Sequence, residues 1–172
     1  MKKSLSKKTI LLIAGGAVVL AGAVFLAVFL LTPPKLTPQQ ETIVRYTRKL
    51  MNGMKSPDSF QLTGDEICYL KMAVDDEHNG EEYVYITYSA ENSYGVRLKG
   101  TAVFIDGTYY DGNYEPEHGD YDGLGLAIRI EQAKQAVIGY QIMKRNGLDF
   151  TEYEMTDSIS TSRVADLLHL KK

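Results

Sequence analysis

The sequence predicts an α+β protein: an N-terminal transmembrane helix followed by a two-layer domain. Three observations support this prediction. Residues 10–31 form an uninterrupted apolar run, residues 67–110 contain short strand-like segments separated by turn residues, and the flanking segments repeat apolar residues at helical spacing. We therefore expect a three- to four-stranded antiparallel sheet packed by helices, in the order α-β-β-β-α-α after the membrane segment.

The composition limits what the chain can be. It has 172 residues, 44% of them apolar, with a net charge of −3 and one cysteine. The length suits one domain with an appendage. A single cysteine supports neither a disulfide framework nor a thiolate zinc site, and the small charge gives no sign of a nucleic-acid partner. No metal or cofactor motif is present, so we expect none to be bound.

The apolar run at residues 10–31 has the length of a membrane span. As a helix, its 22 residues would extend about 33 Å, and a bilayer core is about 30 Å thick. We predict a tip at 1–9, a transmembrane helix at 10–31, a tether at 32–36 and a domain at 37–172. A cleaved signal peptide is the alternative, but its apolar core usually has only about 7–15 residues.

The charges on the two sides of this run predict its orientation. Lys2, Lys3, Lys7 and Lys8 precede it, whereas the residues after it carry all 22 acidic side chains against 15 basic ones. Positive flanks stay in the cytoplasm. We therefore expect a single-pass protein of the cell membrane, with a cytoplasmic N-terminus and an external domain.

The first helix of the domain has clear start and stop signals. Thr37 can cap it, Pro38 suits its first turn, Gln40 completes a capping box, and Gly53 can end it. Its apolar face follows from residues spaced three and four apart, namely Ile43, Val44, Tyr46, Leu50 and Met51.

The strands follow as an antiparallel meander. We predict strands at 67–73, 83–89 and 96–105, with a short fourth strand at 108–110. Asn79-Gly80 indicates a hairpin between the first two strands, and Gly100 indicates a bulge in the third.

Two helices complete the prediction. After a polar loop at 111–123, apolar spacing predicts a long helix from about residue 126 to residue 145, with Gly147 as its cap. A short helix is expected after a Thr161 cap.

The acidic loop offers two chemical alternatives. Six carboxylates and His118 lie between residues 106 and 122. Calcium-loop spacing fits Asp111, Asn113, Glu115 and Asp122, but Pro116 occupies the position that requires glycine. The loop therefore allows a calcium-stabilised module, or an envelope hydrolase that uses the carboxylates Glu115 and Glu117 with His118. A solvated acidic loop without either role is the simpler interpretation.

Tyrosines are the strongest indication of a binding surface. Exposed tyrosines supply rigid contact area and a polar tip. The candidate interaction residues are those in and near the loop: Tyr109, Tyr110, Tyr114 and Tyr121. Strand alternation should place Tyr83 and Tyr85 on one face of the sheet and Tyr88 on the other.

No other residue pattern indicates catalysis. His78 and His169 lie in a predicted loop and in the tail, without ligand partners at metal spacing. Cys68 lies within a strand and is expected to be a buried, inert thiol. We therefore predict no catalytic, cofactor-binding or metal-binding residues.

Two motifs resemble small extracytoplasmic proteins of Gram-positive bacteria. Residues 55–60 read K-x-P-x-S-F, and residues 88–95 read Y-x-A-x-N-x-[FY]-G. The resemblance covers the first half of the external domain and implies a membrane-tethered or secreted module without implying an activity. Pro57 and Asp58 suit the end of a helix, and Asn92 and Gly95 suit turn positions with positive φ. With the anchor and the tyrosines, this predicts a module that binds an envelope protein, a peptide or a wall component.

Overall fold

A computed structural model describes residues 34–72, 80–117, 120–148 and 153–170, without the side chains of residues 121 and 153–155. The elements follow in the order α1 (Pro38–Asn52), a 3-10 turn (Pro57–Ser59), β1 (Gln61–Leu62), β2 (Glu66–Met72), β3 (Glu82–Glu91), β4 (Arg97–Ile105), β5 (Thr108–Asp111), α2 (Tyr121–Arg145), β6 (Tyr153–Ser160) and α3 (Thr161–Leu167). The α+β class is confirmed.

The sheet is larger than predicted. Its strand order is β5-β4-β3-β2-β6, with β1 pairing beside β3, and every pairing is antiparallel. The described strands therefore number six, whereas the sequence predicted three or four. The unpredicted β6 is an edge strand rich in polar residues, which gives it a weak strand signal.

The domain has three layers, so the predicted two-layer arrangement is wrong. One core lies between the sheet and helices α1 and α3, and a second lies between the sheet and α2. The cause is visible in β2, where four consecutive residues are buried. Ile67 and Tyr69 belong to the first core, and Cys68 and Leu70 to the second. A strand buried on both faces requires cover on both faces.

Helix α1 follows its sequence signals. The Thr37 side chain accepts from the Gln40 backbone N–H, the Gln40 side chain completes the capping box, and Gly53 is the C-cap. The buried residues Ile43, Val44, Tyr46 and Leu50 form the predicted apolar face, and this face fixes α1 against the sheet.

The later helices differ from the prediction at their starts. Helix α2 begins at Tyr121, with Asp120 as N-cap, about one turn before the predicted start. Gly147 follows its end in a left-handed conformation with φ of 66°. The cap of α3 is Ser160, the last residue of β6, rather than Thr161.

Gly100 is not a bulge. The pairing of β3 with β4 runs without a break from Tyr83↔Ile105 to Glu91↔Arg97. Gly100 instead makes room for its cross-strand neighbour, because a Cβ added there would lie 2.5 Å from Cζ of Tyr88. The glycine thus allows the Tyr88 ring to lie across β4.

No helix in the described ranges combines the length and apolarity needed to cross a bilayer. The predicted span at 10–31 lies outside those ranges, as do Asn79 of the predicted hairpin and the histidines at 78 and 118.

Candidate functional site

Two adjoining cavities open on the face of the sheet that α1 covers. The larger, about 510 Å³, lies between the end of α1 and strands β3 to β5, and the smaller, about 270 Å³, lies further along β4. Met54 and Tyr88 line both. Together we call them the α1 groove, whose main lining residues are Lys49, Leu50, Met54, Lys55, Tyr88, Ala90, Leu98, Gly100, Phe104, Tyr109 and Asp111.

Aromatic rings form the floor of the larger cavity. Phe104 is fully buried and stacks on Tyr46 of α1, with the two ring centroids 4.6 Å apart. Tyr109, the cross-strand neighbour of Phe104 on β5, also contacts its ring, with the two centroids 5.7 Å apart. Lys49 Nζ lies 6.0 Å from the Phe104 centroid and donates to the Gly107 carbonyl at 3.2 Å. The floor is therefore apolar, with one cation at its rim.

A two-residue hairpin positions Tyr109. Asp106 and Gly107 have φ values of 49° and 78°, as a type I′ turn requires. The Asp106 carboxylate accepts from Glu82 N–H at 2.9 Å, and the Asp106 N–H donates to the Glu82 carbonyl at 3.0 Å. These bonds hold the turn against β3, and β5 then carries Tyr109 into the groove.

The groove tyrosines are held in their neutral form. Burial, the neighbouring Tyr88 and Asp111 raise the pKa of Tyr109 to about 12. Burial and Asp111 also raise the pKa of Tyr88. Both rings therefore present neutral hydroxyls at physiological pH, beside apolar ring faces.

The smaller cavity lies beside an open strand edge. Strand β5 pairs with Ala102–Ile105 of β4, and no described strand pairs with residues 97–101 on the side away from β3. The Thr101 carbonyl accepts from Gly112 N–H on that outer side. Since strand backbone groups alternate in direction, the N–H and C=O groups of Arg97 and Lys99 also face outward. Leu98, 53% exposed, points from this edge into the cavity.

The two sequence motifs at residues 55–60 and 88–95 meet next to the groove. Phe60 of the first stacks on Tyr88 of the second, with centroids 5.4 Å apart. The Ser59 hydroxyl accepts from Glu91 N–H at 2.8 Å. Gly95 has the expected positive φ. Asn92 does not, and instead its side chain accepts from the N–H groups at positions 94 and 96.

A hydrogen-bonded cluster of Tyr46, Tyr69 and Glu82 lies next to the groove. The hydroxyls of Tyr46 and Tyr69 both donate to the Glu82 carboxylate, the second at 3.0 Å. Burial and Glu82 raise the pKa of Tyr46 to about 12 and also raise that of Tyr69. The cluster ties α1 and β2 to β3, and we assign it a structural role.

The four predicted interaction tyrosines do not share one surface. Tyr109 lines the groove and is 40% exposed. Tyr110 packs on the opposite face, against the α2 core. Tyr114 is exposed, with its hydroxyl 3.5 Å from the Asp120 carboxylate. Tyr121 begins α2, and its side chain is outside the described set.

Two carboxylates of the acidic loop accept hydrogen bonds from nearby backbone N–H groups. Asp111 accepts from Asn113 N–H at 2.9 Å, and Asp120 caps α2 by accepting from Gly123 N–H at 2.8 Å. Glu115 and Glu117 are exposed and line neither cavity of the groove. Among the described residues, no three His, Cys, Asp or Glu side chains are placed to hold a metal ion.

Cys68 is buried, as predicted. Burial and nearby Glu66 raise the pKa of its thiol to about 12, and Gln141 Nε2 lies 3.6 Å from the sulfur. The thiol is therefore protonated and inaccessible, which fits an inert core residue. His169 is exposed near the end of the chain.

Most residues of the groove have no distinguishing pattern in the sequence. Phe104, Met54 and Lys49 come from different elements, and only the fold brings them together. Among the four tyrosines that the sequence predicts as interaction residues, Tyr109 is the one whose described side chain lines the groove. The pairing of Tyr88 with Gly100 becomes informative only when the register of β3 and β4 is known. Comparisons of the chain with family models, with curated proteins and with solved structures found no match.

Proposed function

We propose that the chain is a single-pass, membrane-anchored module outside the cell that binds an extended peptide segment of an envelope protein in the α1 groove. The single observation that carries the peptide assignment is the open edge of β4 beside two cavities. The outward N–H and C=O groups of Arg97 and Lys99 can pair with an added strand, and alternate side chains of that strand would enter the groove.

The residues around this edge suit such a ligand. Tyr94, Val96 and Leu98 are all more than half exposed and lie next to the edge. Exposed apolar side chains in one region are typical of interaction sites. The aromatic floor at Tyr88 and Tyr109 gives an apolar side chain of the peptide a rigid contact surface.

Peptide binding should depend on the backbone N–H of Lys99. We expect peptides selected from a random-peptide phage library on the full chain to bind Lys99→Pro at least about tenfold more weakly than Lys99→Ala, because loss of a single peptide hydrogen bond in a desolvated site costs about that much. Proline is tolerated on an edge strand where the lost N–H faces away from the ladder. Titration by fluorescence anisotropy would measure both affinities.

A neighbouring pair of tyrosines gives the matched control. Tyr109→Ala should weaken binding of the same peptides, whereas Tyr110→Ala should leave it nearly unchanged because Tyr110 faces the α2 core. Circular dichroism would check that each variant is folded. Equal affinity of Lys99→Pro and Lys99→Ala for every selected peptide would contradict strand addition.

The membrane topology is tested separately. With the N-terminus in the cytoplasm, Tyr94→Cys should react with a membrane-impermeant maleimide in intact spheroplasts, because residue 94 is 88% exposed. Ser4→Cys should react only after permeabilisation. The wild-type chain is the control, since its one cysteine is buried. Labelling of position 94 only after permeabilisation would reverse the proposed orientation.

A further inference from the structure

We infer that the outer face of α2 is a self-association surface, on which two copies of this chain pair as antiparallel helices about a twofold axis. This surface lies on the side of the sheet opposite the α1 groove, so the inference does not depend on peptide binding.

The outer face of α2 carries an apolar stripe directly opposite its buried side. Ile130, Ala133 and Val137 face the core. The stripe consists of exposed residues spaced alternately four and three apart: Leu124, Ile128, Glu131, Gln135, Ile138 and Ile142. This alternation is the heptad spacing of a coiled-coil seam. Four large apolar side chains are thus presented to solvent along one line of a 25-residue helix.

The order of residues in the stripe is symmetric. Leu124 and Ile142, Ile128 and Ile138, and Glu131 and Gln135 are three pairs with a common midpoint at residue 133. A twofold axis at that level would place each residue against the other member of its pair on the second helix. Apolar residues then meet apolar residues. Self-complementarity of this kind is what a symmetric dimer requires.

The polar pair at the centre also fits a second copy. Gln135 Nε2 donates to Glu131 Oε1 at 2.8 Å within the helix, and Lys134 Nζ donates to the other carboxylate oxygen at 2.7 Å. In the antiparallel pair the Gln135 amide would face the Glu131 carboxylate of the second copy. A polar layer in an apolar seam fixes the register of the two helices.

The helix macrodipoles favour the antiparallel direction. An antiparallel pair places the partly positive start of each helix beside the partly negative end of the other, whereas a parallel pair would place like ends together. The basic side chains of the last turn are bound within the domain, because Lys144 pairs with Glu66 at 2.8 Å and Arg145 with Asp65 at 3.6 Å.

Disulfide trapping tests the register in cells. Leu124 and Ile142 are 18 residues apart, roughly 27 Å along one helix, which is far beyond the Cα separation of about 7 Å that a disulfide can bridge. When full-length Leu124→Cys and Ile142→Cys chains carrying different epitope tags are co-expressed, oxidant should yield the mixed dimer. Either variant expressed alone should yield none.

A charged side chain in the apolar stripe should prevent formation of the disulfide-linked mixed dimer. Adding Ile138→Glu to both cysteine variants should lower the mixed-dimer yield at least about tenfold, whereas Val96→Glu, at an exposed position away from α2, should leave the yield unchanged. Self-crosslinking of Leu124→Cys would indicate a parallel pair, and absence of the mixed dimer in folded protein would indicate a different occupant of the stripe. Either result overturns the inference.

Discussion

Phe104→Ala is expected to lower the free energy of unfolding by about 3–5 kcal/mol, the largest loss for a single truncation near the groove. Phe104 is fully buried, and its ring contacts both Tyr46 of α1 and Tyr109 of β5. Its removal therefore loses the packing that fixes α1 to the sheet and also the floor of the groove. Urea unfolding of the full chain would measure the change.

Two further variants separate packing from surface effects. Phe104→Leu keeps most of the apolar volume and should cost less than the alanine variant. Tyr109→Ala removes a ring that is 40% exposed and should cost about 1 kcal/mol. If Phe104→Ala cost no more than Tyr109→Ala, the central position of Phe104 in the core would be refuted.

Glu82→Ala should have the second large effect, a loss of about 2–4 kcal/mol in the free energy of unfolding. Two tyrosine hydroxyls donate to this carboxylate, and both tyrosines are buried. A buried donor without an acceptor costs about 1–3 kcal/mol. Glu82→Gln keeps a carbonyl acceptor and should cost less. Chemical unfolding at neutral pH would compare the two variants.

A double-mutant cycle isolates this interaction. Tyr46→Phe should cost stability in the wild-type chain and cost little or nothing beside Glu82→Ala, because phenylalanine has no hydroxyl to leave unpaired. Equal costs in the two backgrounds would rule out coupling between Tyr46 and Glu82.

Tyr46 should also make the free energy of unfolding depend on pH in the alkaline range. Its pKa is raised from 10.0 in the unfolded chain to about 12 in the folded one. Its contribution to stability is complete below pH 10 and is lost as pH rises towards 12, since the unfolded state then releases the proton first. Tyr46→Phe should reduce this alkaline loss of stability.

Local signals were sufficient for most elements of the fold. The Thr37-Pro38-Gln40 start of α1 depends on side chains acting within one turn, so the sequence could predict it. The Asp106-Gly107 hairpin is equally local. The sequence does not predict β6, because this polar segment is held extended by its backbone pairing with the distant strand β2.

The candidate site was much harder to predict. Of the four tyrosines chosen from the sequence, Tyr109 reaches the groove, while its neighbour Tyr110 faces the opposite core. Which face a strand residue occupies depends on register, and register depends on partners distant in sequence. In the sequence, Phe104 and Met54 have the pattern of ordinary core residues, and no pattern among their neighbours indicates that they line a cavity.

Local patterns in the sequence predict the α+β class, both caps of α1, the turn between β4 and β5 and the buried cysteine, because each of these features depends on residues within a few positions of one another. Three other features appear only in the folded domain: α2 covers the second face of the sheet, β5 stops short of the first half of β4, and α1 ends beside Tyr88. These features depend on the packing of distant segments against a common sheet, which no local pattern encodes.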